Sequence, residues 1–155
     1  MTKLTGELVA LKLLEVSSHM LGEKIGQIVG PVKTSVLPAN GSNPRFENSI
    51  EGSGTIAGVN VKSMATYSSE MQSDGVLYGE CLNQGVIMTE TGEVATFRAT
   101  GVGQFNSEGG IDFGGVAYFR TATSALASLN SAAVVYHFKI DANGVAIWDL
   151  WEWKY

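Results

Sequence analysis

The chain has 155 residues, 45% of them hydrophobic and only 16% charged, with a formal net charge of −5. That length suits one domain, residues 1–155, able to bury a core without a metal or disulfide staple. The ten basic residues never form a run, which excludes the concentrated basic face that nucleic-acid binding needs. A single cysteine, Cys81, excludes an internal disulfide framework and reads as a small buried hydrophobe.

Residues 4–16 carry Leu4, Leu8, Leu11 and Leu14 at helical spacing, in residue types that favour helix. The same stretch would also serve as a buried strand, and a helix or mixed segment is expected within residues 1–21. Glu7, Lys12 and Glu15 interrupt its apolar run, so it is not read as a signal peptide. No stretch approaches the ~20 apolar residues of a membrane span. The expected location is cytoplasmic, with no membrane or nucleic-acid partner.

Residues 23–37 read as a bent strand in which Pro31, lacking an N–H, belongs at an edge or bulge. Residues 38–44, Pro-Ala-Asn-Gly-Ser-Asn-Pro, are the longest run of turn formers and predict a surface loop. Two further strands are predicted over residues 45–57 and 60–71, followed by a turn at Ser73-Asp74-Gly75. Residues 76–123 then hold three long strands, joined by glycine-bearing turns at Glu90–Glu93 and Asn106–Gly110. Between those turns Ala95, Phe97, Ala99, Gly101, Gly103 and Phe105 fall on one face, and Thr96, Arg98, Thr100 and Gln104 on the other.

Ser124 is placed to cap a helical turn over residues 125–129, with Asn130 closing it. A strand over residues 132–140, a turn at Asp141–Gly144 and a last strand over residues 145–153 complete the chain. That last strand is apolar on both faces: Val145, Ile147, Trp151 and Trp153 on one, Trp148 and Leu150 on the other. One face belongs to a barrel interior, and the second asks for cover by the N-terminal segment or another subunit. The sum is an all-β domain, a single antiparallel up-and-down β-barrel of about eight strands with one or two short helical segments. With so few charges, a homo-oligomer, dimer or trimer, is expected.

Residues 85–105 (GVIMTETGEVATFRATGVGQF), residues 114–130 (GGVAYFRTATSALASLN) and the terminal WEWK resemble a family of small bacterial and archaeal proteins of unknown function. That family is similar to the allene-oxide-cyclase-like, calycin-like barrels. The resemblance covers the chain from about Glu23 onward and implies the barrel fold. It carries no established activity, and hence no catalytic residue. The chain departs from the family pattern at Cys81-Leu82-Asn83, where a shorter glycine-containing link is usual, so the strand register is in question there.

Chemistry is sparsely signalled. His19 and His137 are the only histidines, no metal-ligand spacing occurs, and neither a metal nor a cofactor is expected. His137, between Tyr136 and Phe138, reads as a structural histidine with a partner rather than a general base. Glu80, Arg98, Arg120, Asp149 and Glu152 are embedded in apolar strands. They either face solvent in alternation with the core or point inward as ion pairs, because a lone buried charge is too costly. The inward arrangement makes Arg98 and Arg120 anion-fixing groups, Glu80 a counter-charge, and Tyr118 and Tyr136 amphipathic walls of a ligand site. The function expected is binding of a small apolar ligand with an acidic or carbonyl end. The alternatives are a cofactor-independent isomerase or cyclase of the allene-oxide-cyclase type, and a filled barrel that serves as a structural or partner-binding protein.

Overall fold

A computed structural model describes residues 21–155, so the N-terminal helix or mixed segment lies outside the described residues. Eight antiparallel strands follow one another around a closed barrel. They are β1 (Leu21–Asn40), β2 (Asn43–Ile56), β3 (Val59–Met71), β4 (Leu77–Thr89), β5 (Val94–Phe105), β6 (Ile111–Thr121), β7 (Ala133–Ile140) and β8 (Val145–Trp153). Each pairs with its neighbour in sequence, and β8 closes onto β1 with Val29 opposite Ile147 and Gln27 opposite Asp149. The up-and-down barrel read from the sequence is the fold, and its helical content among the described residues is one 3-10 turn.

Alternation decides which side chains enter the barrel. In β5, Ala95, Phe97 and Gly103 are buried while Thr96, Arg98 and Thr100 are exposed. In β8, Ala146, Trp148 and Leu150 are buried while Ile147 and Trp153 are exposed on the outside. With Val29 and Leu21 of β1, also exposed, those two form an apolar strip across the β1–β8 seam. Tight turns make the strand connections at one end of the barrel, the mouth. Gly75, Gly109 and Gly144 supply the positive φ those turns require.

The opposite end is a floor. There the β6–β7 connection carries the 3-10 turn (Ala127–Ser131), and Leu126 and Leu129 are buried as part of the barrel core. Asn130 fastens this segment, its side-chain oxygen accepting from the Thr121 N–H and its amide donating to the Thr121 carbonyl, each at 2.9 Å. The expected cap from Ser124 is not made: Leu126 holds the N-cap position, with no side-chain cap bond. Asn130 instead ties the turn to the end of β6, its amide matching the donor and the acceptor of the Thr121 backbone.

Two other local expectations change. Residues 38–44 are not a loop. β1 continues through Pro38 to Asn40, only Gly41-Ser42 turns, and the β1–β2 register shifts between Leu37 and Asn40 to absorb the proline. Nor does Pro31 mark an edge, since a closed barrel has none. It stands opposite Val145 of β8, and its missing N–H falls on the β2 side, where the β1–β2 pairing skips Gly30 and Pro31 between Val29 opposite Ser53 and Val32 opposite Ile50.

The departure at Cys81-Leu82-Asn83 is a real irregularity. On β4 the three residues Leu82, Asn83 and Gln84 oppose Arg98 alone on β5, because Cys81 pairs with Ala99 and Gly85 with Phe97. The β3–β4 register shifts at the same level. Asn83 adopts φ of 55°, and Leu82 is pushed out to solvent. Two residues are inserted, so parity survives and both Cys81 and Gly85 still face inward.

Candidate functional site

Within the barrel lies a cavity of about 60 Å³, its wall almost wholly apolar. Its mouth side is crossed by three rings from three strands. Tyr67 meets Phe113 and Phe138 edge to face at centroid distances of 6.5 and 5.7 Å, and Phe113 and Phe138 stand 6.3 Å apart. On the floor side Trp148 lies 5.0 Å from Phe97 and 6.2 Å from Phe119. The cavity is the gap between these two aromatic layers.

The side wall is shaped by glycine. Gly79, Gly101 and Gly115 are cross-strand partners in one row that continues to Tyr136. With no Cβ in that row, the Tyr136 side chain lies flat along the wall. A Cβ at Gly101 or Gly115 would sit within 2.5–2.6 Å of its hydroxyl. Gly101 and Gly115 therefore set where that hydroxyl points, while Gly79 makes room for the Phe113 ring, which a Cβ there would meet at 3.3 Å.

Tyr67, Tyr136, Cys81 and the buried Ser63 bring polar side chains to this apolar space. The Tyr67 hydroxyl is buried with no hydrogen-bond partner among the described residues. Burial, reinforced by the neighbouring Tyr136, holds its pKa far above the usual phenol range. Burial likewise pushes Tyr136 up to about 12, with the nearby Cys81 adding to the effect. Burial raises the Cys81 thiol too, opposed by the nearby backbone N–H of Gln84 in the bulge. At neutral pH the two phenols are neutral hydrogen-bond donors in a dry site. Towards the mouth, Thr34 donates to the buried Asn48 at 2.9 Å, and Asn48 donates to Ser69 at 3.2 Å. This chain satisfies the polar groups beyond the ring layer.

Of the residues singled out from the sequence, Tyr136 and Glu80 border the cavity. Arg98, Tyr118 and Arg120 share a face, as their spacing requires, and that face is the outer one. All three are exposed, and the Arg98 guanidinium stacks 5.1 Å from the Tyr118 ring centre. With Asn83, Thr96 and Asn130 they border an external groove. The Glu80 side chain is exposed as well, between the inward Gly79 and Cys81. Neither arginine nor Glu80 forms an ion pair among the described residues. Cys81 is a wall residue as well as the small buried hydrophobe read from the sequence, and Tyr67, one of the aromatics that the sequence offers to line a barrel cavity, joins it. The usable signal was the glycine row, which marks where a large side chain must cross the wall.

His137 finds its partner outside the barrel. Its Nε2 lies 2.7 Å from Asp112 Oδ1, and the Asn106 amide donates to Asp112 Oδ2 at 2.9 Å. The Asn106 bond first and then His137 hold the Asp112 carboxyl below the usual carboxylate range. Burial opposes the charge on Asp149, but Lys24 at 2.6 Å and Gln27 at 2.8 Å still hold its pKa low. A depressed folded pKa stabilises above the unfolded value, about 3.9. That stability disappears as pH falls through the folded value. The urea midpoint is therefore expected to decline below about pH 4, and Asp112→Asn to flatten part of that decline. An identical acid slope in the variant would show that Asp112 contributes nothing.

No family model matches the chain, and no curated protein is similar to it in sequence. The barrel is shared with solved structures. A conserved protein of unknown function from Rhodopseudomonas palustris superposes with a TM-score of 0.72 at 14% identity, over 87% of this chain and 99% of that one. A β-barrel-like protein from Acinetobacter baumannii gives 0.72 at 14%, over 86% and 95%. An enzyme from Penicillium herquei gives 0.57 at 10%, over 87% and 97%. At these identities the likeness is one of fold, and the site must be argued from its own residues.

Proposed function

We propose that the protein binds a small, largely apolar molecule with a carbonyl end inside the barrel. Tyr67 and Tyr136 donate hydrogen bonds to the carbonyl oxygen. The observation that carries this reading is the buried, unpartnered Tyr67 hydroxyl beside that of Tyr136. An unmet buried donor costs about 1–3 kcal/mol, which an acceptor in the cavity would recover. Two neutral donors with no cation beside them favour a carbonyl over a carboxylate. A cavity that holds benzene measures about 150 Å³. The 60 Å³ here is under half of that, so a four-carbon ketone, about five heavy atoms, is seated only as the ring layer gives way.

Butan-2-one and its hydrocarbon isostere 2-methylbut-1-ene provide the test, with amide shifts followed by NMR. The ketone is expected to bind more tightly, and Tyr136→Phe to weaken it about 2–10-fold, the worth of one neutral hydrogen bond. Equal binding of ketone and alkene would sink the reading. Two donors on one oxygen would also stabilise an enolate. Together with the fold shared with the Penicillium herquei enzyme, that supports a second reading. It is a cofactor-independent isomerase or cyclase, as in the allene-oxide-cyclase-like group. Deuterium entering the α-carbons of bound butan-2-one faster than in buffer would favour it over simple binding.

The outer strip formed by Leu21, Val29, Ile147 and Trp153 supports self-association. Sedimentation is expected to show a dimer or trimer, and a monomer at every concentration would refute that.

A further inference from the structure

We infer that Cys81 is a nucleophile that captures short α,β-unsaturated carbonyl compounds held in the cavity. The inference rests on the ligand reading above and names its substrate class. Cys81 is the only cysteine of the chain, is buried, and lines the same cavity as Tyr67 and Tyr136. The unmet Tyr67 hydroxyl is an independent observation that asks for an acceptor in that space. A saturated ketone would satisfy it. An enone or enal would also present an electrophilic carbon to the thiol, two bonds from the carbonyl carbon.

The chemistry needs no oxidant and no second substrate. The sulfur forms a bond to the β-carbon, and the C=C π pair moves towards the carbonyl. Tyr67 and Tyr136 then hold an enolate oxygen. The proton given up by the thiol returns to the α-carbon, leaving a saturated thioether and an intact carbonyl. Each phenol bonds the developing negative charge more strongly than the neutral carbonyl, so the pair lowers the barrier as well as orienting the ligand.

The β4 bulge contributes the remaining part. By inserting Leu82-Asn83-Gln84 it leaves Gln84 out of the ladders to both neighbouring strands, with its N–H free of a strand partner near the thiol. That nearby N–H favours the thiolate, while burial, the larger influence, disfavours it. The net effect is selectivity. Electrophiles in bulk water meet a shielded, protonated thiol, and only one seated in the cavity meets an oriented nucleophile. The small cavity favours the shortest compounds of this class.

The experiment uses but-3-en-2-one on the whole chain, with intact mass read against time. One adduct is expected, at Cys81, absent in both Cys81→Ser and Cys81→Ala. Tyr67→Phe and Tyr136→Phe are each expected to slow its formation about tenfold, equivalent to about 1.4 kcal/mol. Both should leave labelling by methyl methanethiosulfonate, which has no carbonyl, at the wild-type rate. Adducts that form equally fast in the two tyrosine variants overturn the inference, as does a wild-type protein with no Cys81 adduct. If butan-2-one still binds in either case, the ligand reading stands and this inference alone falls. If it does not bind, both fall.

Discussion

Replacing Trp148 with alanine is expected to lower the free energy of unfolding by about 3–5 kcal/mol, the usual cost of removing a large buried aromatic. Trp148 is 6% exposed and touches rings from three other strands: Phe97 on β5, Phe119 on β6 and Tyr136 on β7. Its loss empties the middle of the floor layer, and the surrounding backbone cannot collapse because the barrel is closed by hydrogen bonds all round. Urea unfolding followed by circular dichroism measures the change. A loss under about 1 kcal/mol would mean that the aromatic layer repacks freely, which is foreign to a core of native density. Trp148→Phe, which keeps a ring in place, should cost clearly less.

Tyr67→Phe is expected to act in the opposite direction and raise stability by about 1–2 kcal/mol. The phenol ring packs against Phe113 and Phe138 and is retained, while the buried hydroxyl that finds no partner is removed. The same substitution should weaken butan-2-one. Stability gained and affinity lost at one atom is the signature of a group kept for its ligand. Tyr136→Phe offers the contrast: its hydroxyl is not among the fully buried unpartnered groups, so stability should move little while affinity falls. If Tyr67→Phe destabilises the fold by about 1 kcal/mol or more, the hydroxyl has a structural partner in solution and the case for a carbonyl ligand goes with it.

Strands and turns were legible because period-two alternation and positive-φ glycines are local facts. Residues 94–105 announce both faces of β5, and Gly75, Gly92, Gly109 and Gly144 adopt the positive φ that their turns imply. The inward or outward sense of each face depends on closure, which is not local. Arg98 and Arg120 share a face from their spacing alone, but only the pairing of β5 with β4 and β6 turns that face outward. Pro38 and Pro44 misread as a loop because turn formers are equally at home in the frayed end of a hairpin. The cavity was harder still. Tyr67 and Cys81 come from different strands, and nothing in either neighbourhood announces a polar group in an apolar wall. Gly101 and Gly115 could have pointed to Tyr136, given the strand order.

The ring layer formed by Tyr67, Phe113 and Phe138 also governs time. With Leu126 and Leu129 buried at the floor, a molecule in the cavity arrives and departs past those three rings. Tyr67 is held edge to face by the other two, which are tilted at 51° to each other, so one ring rotates only when its neighbours give way. Association then runs well below the diffusional rate, and dissociation is slowed by the same rotation. A weakly held ligand can therefore have a long residence time, set by how often the rings part rather than by how strongly two phenols grip one oxygen.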